Sequence, residues 1–136
     1  MADTLQLQLV SPERMLVDEQ VTEVQIPALD GYIGAMPGGA PLLSALKPGG
    51  LLTYIAGGRQ KTLAVYGGFV EVLADRVRVL ADAAEFGEEI DAAKAQARLQ
   101  AAVKASEATQ SETADPQLVI DELARAQAAV EAAAAK

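Results

Sequence analysis

The sequence predicts a β + α chain: an N-terminal antiparallel β-sandwich of about ten strands over residues 1–86, then a C-terminal two-helix antiparallel hairpin over residues 87–136. Three observations carry this reading. Up to about Phe86, apolar and polar residues alternate with the period of a strand, and turn residues interrupt every five to ten positions, as in a sandwich or barrel. After Gly87, glycine and β-branched runs almost vanish and alanine dominates two segments. Between Tyr32 and Gly49 the chain places four glycines and three prolines, which fix tight turns and so present a defined surface.

Each element has its own signal. Leu5, Leu7 and Leu9 face one way, with Thr4, Gln6 and Gln8 opposite. Val24 and Ile26 repeat the pattern, as do Leu63 and Val65, Val70 and Val72, and Val77 and Val79. Breaks fall at Ser11-Pro12, Leu29-Asp30-Gly31, Pro48-Gly49-Gly50, Gly57-Gly58, Gly67-Gly68 and Ala74-Asp75. The Gly57-Gly58 and Gly67-Gly68 pairs permit the positive φ of hairpin turns. Roughly eight to ten short strands fit between these breaks.

The first helix begins near Asp91, behind Glu88-Glu89, whose charges suit a helix N-terminus, and sets Ala92, Ala95, Leu99, Ala102 and Ser106 on one face. A polar separator runs from Ser106 to Ala114. Asp115-Pro116 opens the second helix, an N-cap acceptor followed by the residue best tolerated at the first helical position. Val119, Leu123, Ala126, Val130 and Ala133 align along it. Alanine lets the axes approach closely, yet each contact removes little apolar area at roughly 25 cal/mol per Å². A loosely held hairpin is expected, with a second helix reaching about 30 Å.

Composition narrows function. The 136 residues suffice for one domain, or a small domain with an appendage, and 51% hydrophobic content suffices for a core. Eleven basic against 19 acidic residues give a net charge of -8, which disfavours nucleic acid and anionic lipid surfaces. Cys and His are both absent, which removes disulfides, thiol nucleophiles, the usual zinc sites and the common general base at neutral pH. No cofactor or metal is expected. The N-terminus shows no targeting segment, and no run reaches the ~18 apolar residues of a membrane span.

Catalytic constellations are equally thin. The pairs Asp18-Glu19, Glu88-Glu89 and Asp121-Glu122 are sequence neighbours, so their side chains diverge in strands and helices alike and read as solvated surface. Serine nucleophiles lack a histidine, although composition leaves a Ser-Lys pair open. The Gly31–Gly49 loop is flanked by strands and lacks a Gly-Lys-Ser/Thr ending, which argues against a phosphate cradle.

The order Gly31-Tyr32-Ile33-Gly34-Ala35-Met36-Pro37-Gly38-Gly39-Ala40-Pro41-Leu42-Leu43, followed by Lys47-Pro48-Gly49, resembles the loop of the epsilon subunits of bacterial F-type ATP synthases. Ser11-Pro12-Glu13, the strand from Val21 to Pro27, Gly67-Gly68-Phe69-Val70-Glu71-Val72, Val79 to Glu85 and Ile90-Asp91 follow that family in order and spacing. Gly39 stands where the family usually has His, and Tyr32 where it often has a second acid.

The resemblance implies a non-catalytic central-stalk subunit of a proton-translocating ATP synthase, peripheral on the cytoplasmic face of a bacterial inner membrane and reaching the membrane only through the complex. It implies that the loop meets the gamma subunit and the c-ring, with Asp30, Gly31, Tyr32 and Ile33 nearest the ring, alongside Gly34, Pro37, Gly38 and Pro41. Gly34 and Gly38 are expected in conformations closed to larger residues. Leu42, Leu43 and Leu46 are candidates for gamma contact, with burial in the core the equal alternative. Some relatives bind ATP through an Ile/Leu-Asp-x-x-Arg-Ala motif. Here Ile90, Asp91 and Lys94 stand in that motif, with lysine for arginine, and Arg125 is the interior arginine of the second helix. A point charge replaces a fork, so weak nucleotide binding is expected. Transient contact of the helices with alpha and beta subunits is also implied. The second helix carries no basic stripe for that contact, so weak inhibition of ATP hydrolysis follows. A stand-alone β-sandwich binding a ligand and a nucleotide-responsive sensor are the rival readings.

Overall fold

A computed structural model describes residues 3–108 and 115–135. Among them the strands are β1 (Leu5–Val10), β2 (Met15–Val21), β3 (Glu23–Ala28), β4 (Gly31–Ala35), β5 (Leu42–Ala45), β6 (Gly50–Ala56), β7 (Arg59–Val65), β8 (Gly68–Val72), β9 (Arg76–Ala81) and β10 (Ala84–Phe86). They form two five-stranded sheets, ordered β2-β1-β9-β8-β5 and β10-β7-β6-β3-β4. A 3₁₀ turn at Gly87–Glu89 leads into α1 (Ala92–Ala108), and α2 (Pro116–Ala134) follows. The separator's residues 109–114 and Lys136 lie outside the described residues.

Alternation builds the core as expected. Leu5, Leu7 and Leu9 of β1, Val70 of β8, and Val77 and Val79 of β9 are fully buried against Val24, Ile26, Leu52, Leu63 and Val65 of the other sheet. Tyr54 crosses this interior, and its hydroxyl donates to Glu19 Oε2 at 2.9 Å, so the phenol is buried but satisfied.

The structure corrects two expectations about the strands. β1 and β9 run parallel, from Gln6 opposite Arg76 to Val10 opposite Leu80, so the sandwich is not wholly antiparallel. Alternation fixes which face a strand buries and leaves its neighbour's direction open. Gly57-Gly58 does close a two-residue hairpin between Ala56 and Arg59, with φ of 58° and 76°. Gly67-Gly68 does not. Its positive φ values, 84° and 120°, turn a corner that carries the chain from β7 in one sheet to β8 in the other. A Cβ on Gly68 would sit on the Leu80 carbonyl oxygen and 2.9 Å from Ala81 Cα.

Asp115 caps the second helix as expected, and Asp91, read only as the place where the first helix begins, caps that one. Lys94 N–H donates to Asp91 Oδ1 at 3.1 Å and Gln117 N–H to Asp115 Oδ1 at 2.9 Å. Ala95 and Ala102 of α1 and Ala126 and Ala133 of α2 are buried as the stripes require, whereas Ala92 is exposed. A second buried line, Ala128, Ala129 and Ala132, was not foreseen. It exists because α2 packs against α1 on one side and against the outer face of β6 and β7 with the 3₁₀ turn on the other. Ala128, Ala129 and Ala132 join Ala64, Tyr66 and Ile90 in a small apolar cluster. The seat is close: a Cβ on Gly49 would lie 2.5 Å from the carbonyl carbon and oxygen of Ala124, and one on Gly87 would meet the Ala132 oxygen. These glycines let the helix backbone rest directly on the sandwich.

Candidate functional site on the sandwich

The Gly/Pro segment begins as an edge strand. β4 pairs with β3 from Val24 opposite Ala35 to Ala28 opposite Gly31, and Gly31 starts it with φ of 139°. Three backbone ties hold the segment's later part: Leu29 N–H to the Ala45 oxygen, Lys47 N–H to the Pro27 oxygen, and a bridge between Ala28 and Leu46. Asp30 is exposed in the turn, Tyr32 projects outward, and Ile33 packs its partly buried side chain on the core. Leu51 N–H donates to the Tyr32 hydroxyl oxygen at 3.3 Å, and the Lys47 ammonium lies 5.1 Å from the ring centroid, so this aromatic is held in place.

Gly38 has φ of 84° and its N–H donates to the Ala74 oxygen at 2.8 Å, a conformation that resists side chains. Gly34 differs from expectation: it is ordinary strand backbone, and an added Cβ would press only on the Gln25 amide, 3.2 Å away. Pro37 is half-buried and Pro41 exposed.

The three leucines divide. Leu43 on the edge strand β5 is 72% exposed and Leu42 is also exposed, whereas Leu46 is 5% exposed and belongs to the core. Strand register then reveals residues that sequence reasoning missed. Met15, Val10, Leu80, Phe69 and Ala45 are successive cross-strand partners over β2, β1, β9, β8 and β5. Phe69 is 59% exposed, Leu80 52% and Met15 51%. Beside this apolar row, Leu43 lies opposite Glu71, which faces Arg78 on β9. Leu43, Phe69, Glu71, Arg78 and Leu80 line a shallow depression of about 160 Å³. The signal was present, since burying Val70 and Val72 forces Phe69 to the solvent face. A lone exposed apolar residue needs no explanation; here three fall in one row across the sheet.

The nucleotide candidates gather only in part. Ile90, Asp91 and Lys94 border a cleft of about 290 Å³ with Glu85, Glu89 and Arg98, and Arg125 is not among its lining residues. The Asp91 carboxylate already caps α1. Arg98 is committed to Glu122 of α2, and that hydrogen-bonded pairing holds the Glu122 carboxyl below the usual carboxylate range and raises the Arg98 guanidinium. Three carboxylates against two cations make a poor lining for a polyphosphate. Among the described residues no group of three or more carboxylates is arranged to hold a metal ion, and no helix is long and apolar enough to cross a membrane.

The molecule is thus a two-sheet sandwich that seats its own helix on β6 and β7 of one sheet and leaves an exposed apolar row across the other. The β-sandwich domain of the ATP synthase delta/epsilon chain matches residues 4–87, and the chain belongs to that family. It is 53% identical to the ATP synthase epsilon chain of Solibacter usitatus, over 89% of this chain and 84% of that one. It is 44% identical to the epsilon chain of Rhodospirillum rubrum, over 90% and 96% of the two chains. Among solved structures, a chain of the Euglena gracilis mitochondrial ATP synthase, determined as an OSCP/F1/c-ring assembly, superposes with a TM-score of 0.82 at 25% identity, covering 98% of this chain and 83% of that one. A chain of the Tetrahymena thermophila mitochondrial ATP synthase central stalk and c-ring shares the fold, with a TM-score of 0.61 at 12% identity over 94% and 95% of the two chains.

Proposed function

We propose that this chain is the epsilon subunit of a bacterial F-type ATP synthase, a non-catalytic part of the central stalk. The observation that carries the reading is the exposed apolar row from Met15 to Phe69 on a chain of this family, because such a surface needs a permanent partner. The gamma subunit covers that row together with Leu42 and Leu43. The turn and edge strand from Asp30 to Gly34, with the Pro37-to-Pro41 loop, reach the c-ring. Residues 1–86 then form the coupling unit and residues 87–136 a regulatory hairpin that meets the alpha and beta subunits transiently. The subunit sits peripherally at the cytoplasmic face of the inner membrane, held there through the complex.

Co-purification tests this reading. Wild-type chain retains gamma on an affinity column, and a Leu43→Asp/Phe69→Asp chain that is folded by circular dichroism does not. Retention of gamma by the double variant refutes the assignment of that face. Nucleotide sensing is the second reading; titration calorimetry with ATP and Mg²⁺ decides it, and the carboxylate-rich lining around Lys94 supports a null result.

A further inference from the structure

The seat of α2 supplies shape and little apolar area, so the hairpin needs something else to hold it. α1 touches the sandwich far less than α2 does, yet one of its side chains bridges all three parts. Arg98 Nε and Nη2 donate to Glu122 Oε1 and Oε2 of α2 at 2.7 and 3.1 Å, a two-pronged match of guanidinium to carboxylate. The same guanidinium carbon lies 5.6 Å from the ring centroid of Tyr66, the residue that follows β7 on the sandwich. The Tyr66 hydroxyl donates to Glu85 Oε2 at 2.5 Å, which fixes the ring and sets a further negative charge near the cation. Of the three ion pairs among the described residues, only this one engages the helices; the other two tie Arg14 and Lys61 to the 3₁₀ turn.

We propose that Arg98 is the latch of the docked hairpin: one cation shared between Glu122 of α2 and the aromatic face of Tyr66 holds both helices on the sandwich. Neither half of the latch suffices alone. Glu122 ties helix to helix, and Tyr66 ties helix to sheet. The Arg98–Glu122 pair is partly open to solvent while Tyr66 is buried, so the ion-pair half of the latch is of modest strength. It rests on geometry within this chain and stands whether or not gamma binds the opposite face.

Hydrogen exchange on the full chain tests the latch. Arg98→Met keeps the apolar stem and removes the charge and the fork. Amides of α1 and α2 then exchange about tenfold faster, ~1.4 kcal/mol of lost protection, while those of β6 to β9 keep their rates. Tyr66→Leu leaves the Arg98–Glu122 pair intact and loosens both helices in the same way. Arg98→Lys restores part of the protection. Unchanged α2 exchange in Arg98→Met overturns the proposal, as does loosening of α1 alone, which would make Arg98 a helix-to-helix tie. Equal acceleration in the sandwich strands overturns it too, because a latch acts on the hairpin only.

Discussion

Adding one methyl group at Gly49 is expected to lift α2 from the sandwich. An alanine Cβ there would lie 2.5 Å from the carbonyl carbon and oxygen of Ala124 and 2.6 Å from Arg125 N, all of them backbone atoms that no rotamer change can move. Ordinary contact requires about 3.5–4 Å, so the helix must retreat by roughly 1 Å. A gap of that size forfeits about a quarter to a half of the dispersion energy along the seam, and overpacking costs about 1–3 kcal/mol. Gly87→Ala strikes the same helix two turns on, at the Ala132 oxygen. Once the first substitution has displaced the helix, the second has little left to disrupt, so the two costs fall short of adding. Their shared ceiling is the free energy of docking itself, because past that point the helices simply leave. Urea unfolding and hydrogen exchange of the full chain measure both quantities. Full additivity of Gly49→Ala and Gly87→Ala, or unaltered exchange in α2 for either, would refute the idea of a backbone seat.

Further outcomes follow from the same geometry. A chain ending after Gly87 stays folded and binds gamma, measured by thermal melting and co-purification, because the sandwich core is separate from the small cluster under α2. Leu43→Asp changes stability by less than about 0.5 kcal/mol in urea, since the side chain is exposed, while abolishing gamma binding. Burial and a carboxylate partner push the Tyr54 and Tyr66 phenols above the usual tyrosine range, so the folded state favours their neutral forms. That contribution is complete below about pH 10 and is lost as pH rises beyond it; Tyr66→Phe flattens the decline of the urea midpoint between about pH 9 and 11. Deleting residues 114–136 raises ATP hydrolysis by the assembled enzyme less than about threefold, ~0.7 kcal/mol, for want of a basic stripe on α2.

Much of this architecture is legible from local rules. The buried leucines of β1 follow from alternation alone, and Asp115 announces its helix through a side chain that can satisfy free amides. Relations between distant elements are not written locally. Nothing near Gln6 says that Arg76 lies beside it, and nothing near Gly67-Gly68 distinguishes a corner between sheets from a hairpin within one. The candidate surface shows the same divide. Leu43 could be picked as apolar in a turn-rich segment, but its alliance with Phe69, Leu80 and Met15 exists only after four separate strand registers are known. Gly49 and Gly87 read as turn glycines, and only the path of α2 shows them to be a seat.

The parallel pairing of β1 with β9 has a consequence for how the chain is made. Gln6 and Arg76 are 70 positions apart (76 − 6), so the first strand meets its second neighbour only after most of the sandwich has been synthesised. At ~5–20 residues per second the wait is roughly 4–14 s, long against the microseconds in which β1 and β2 can form their hairpin. During that interval one edge of β1 is unpaired, and Leu5, Leu7 and Leu9 have half a core to rest on. Closure of this sheet is therefore a late, cooperative event in biogenesis, and the nascent N-terminus is the stretch where a chaperone has most to protect.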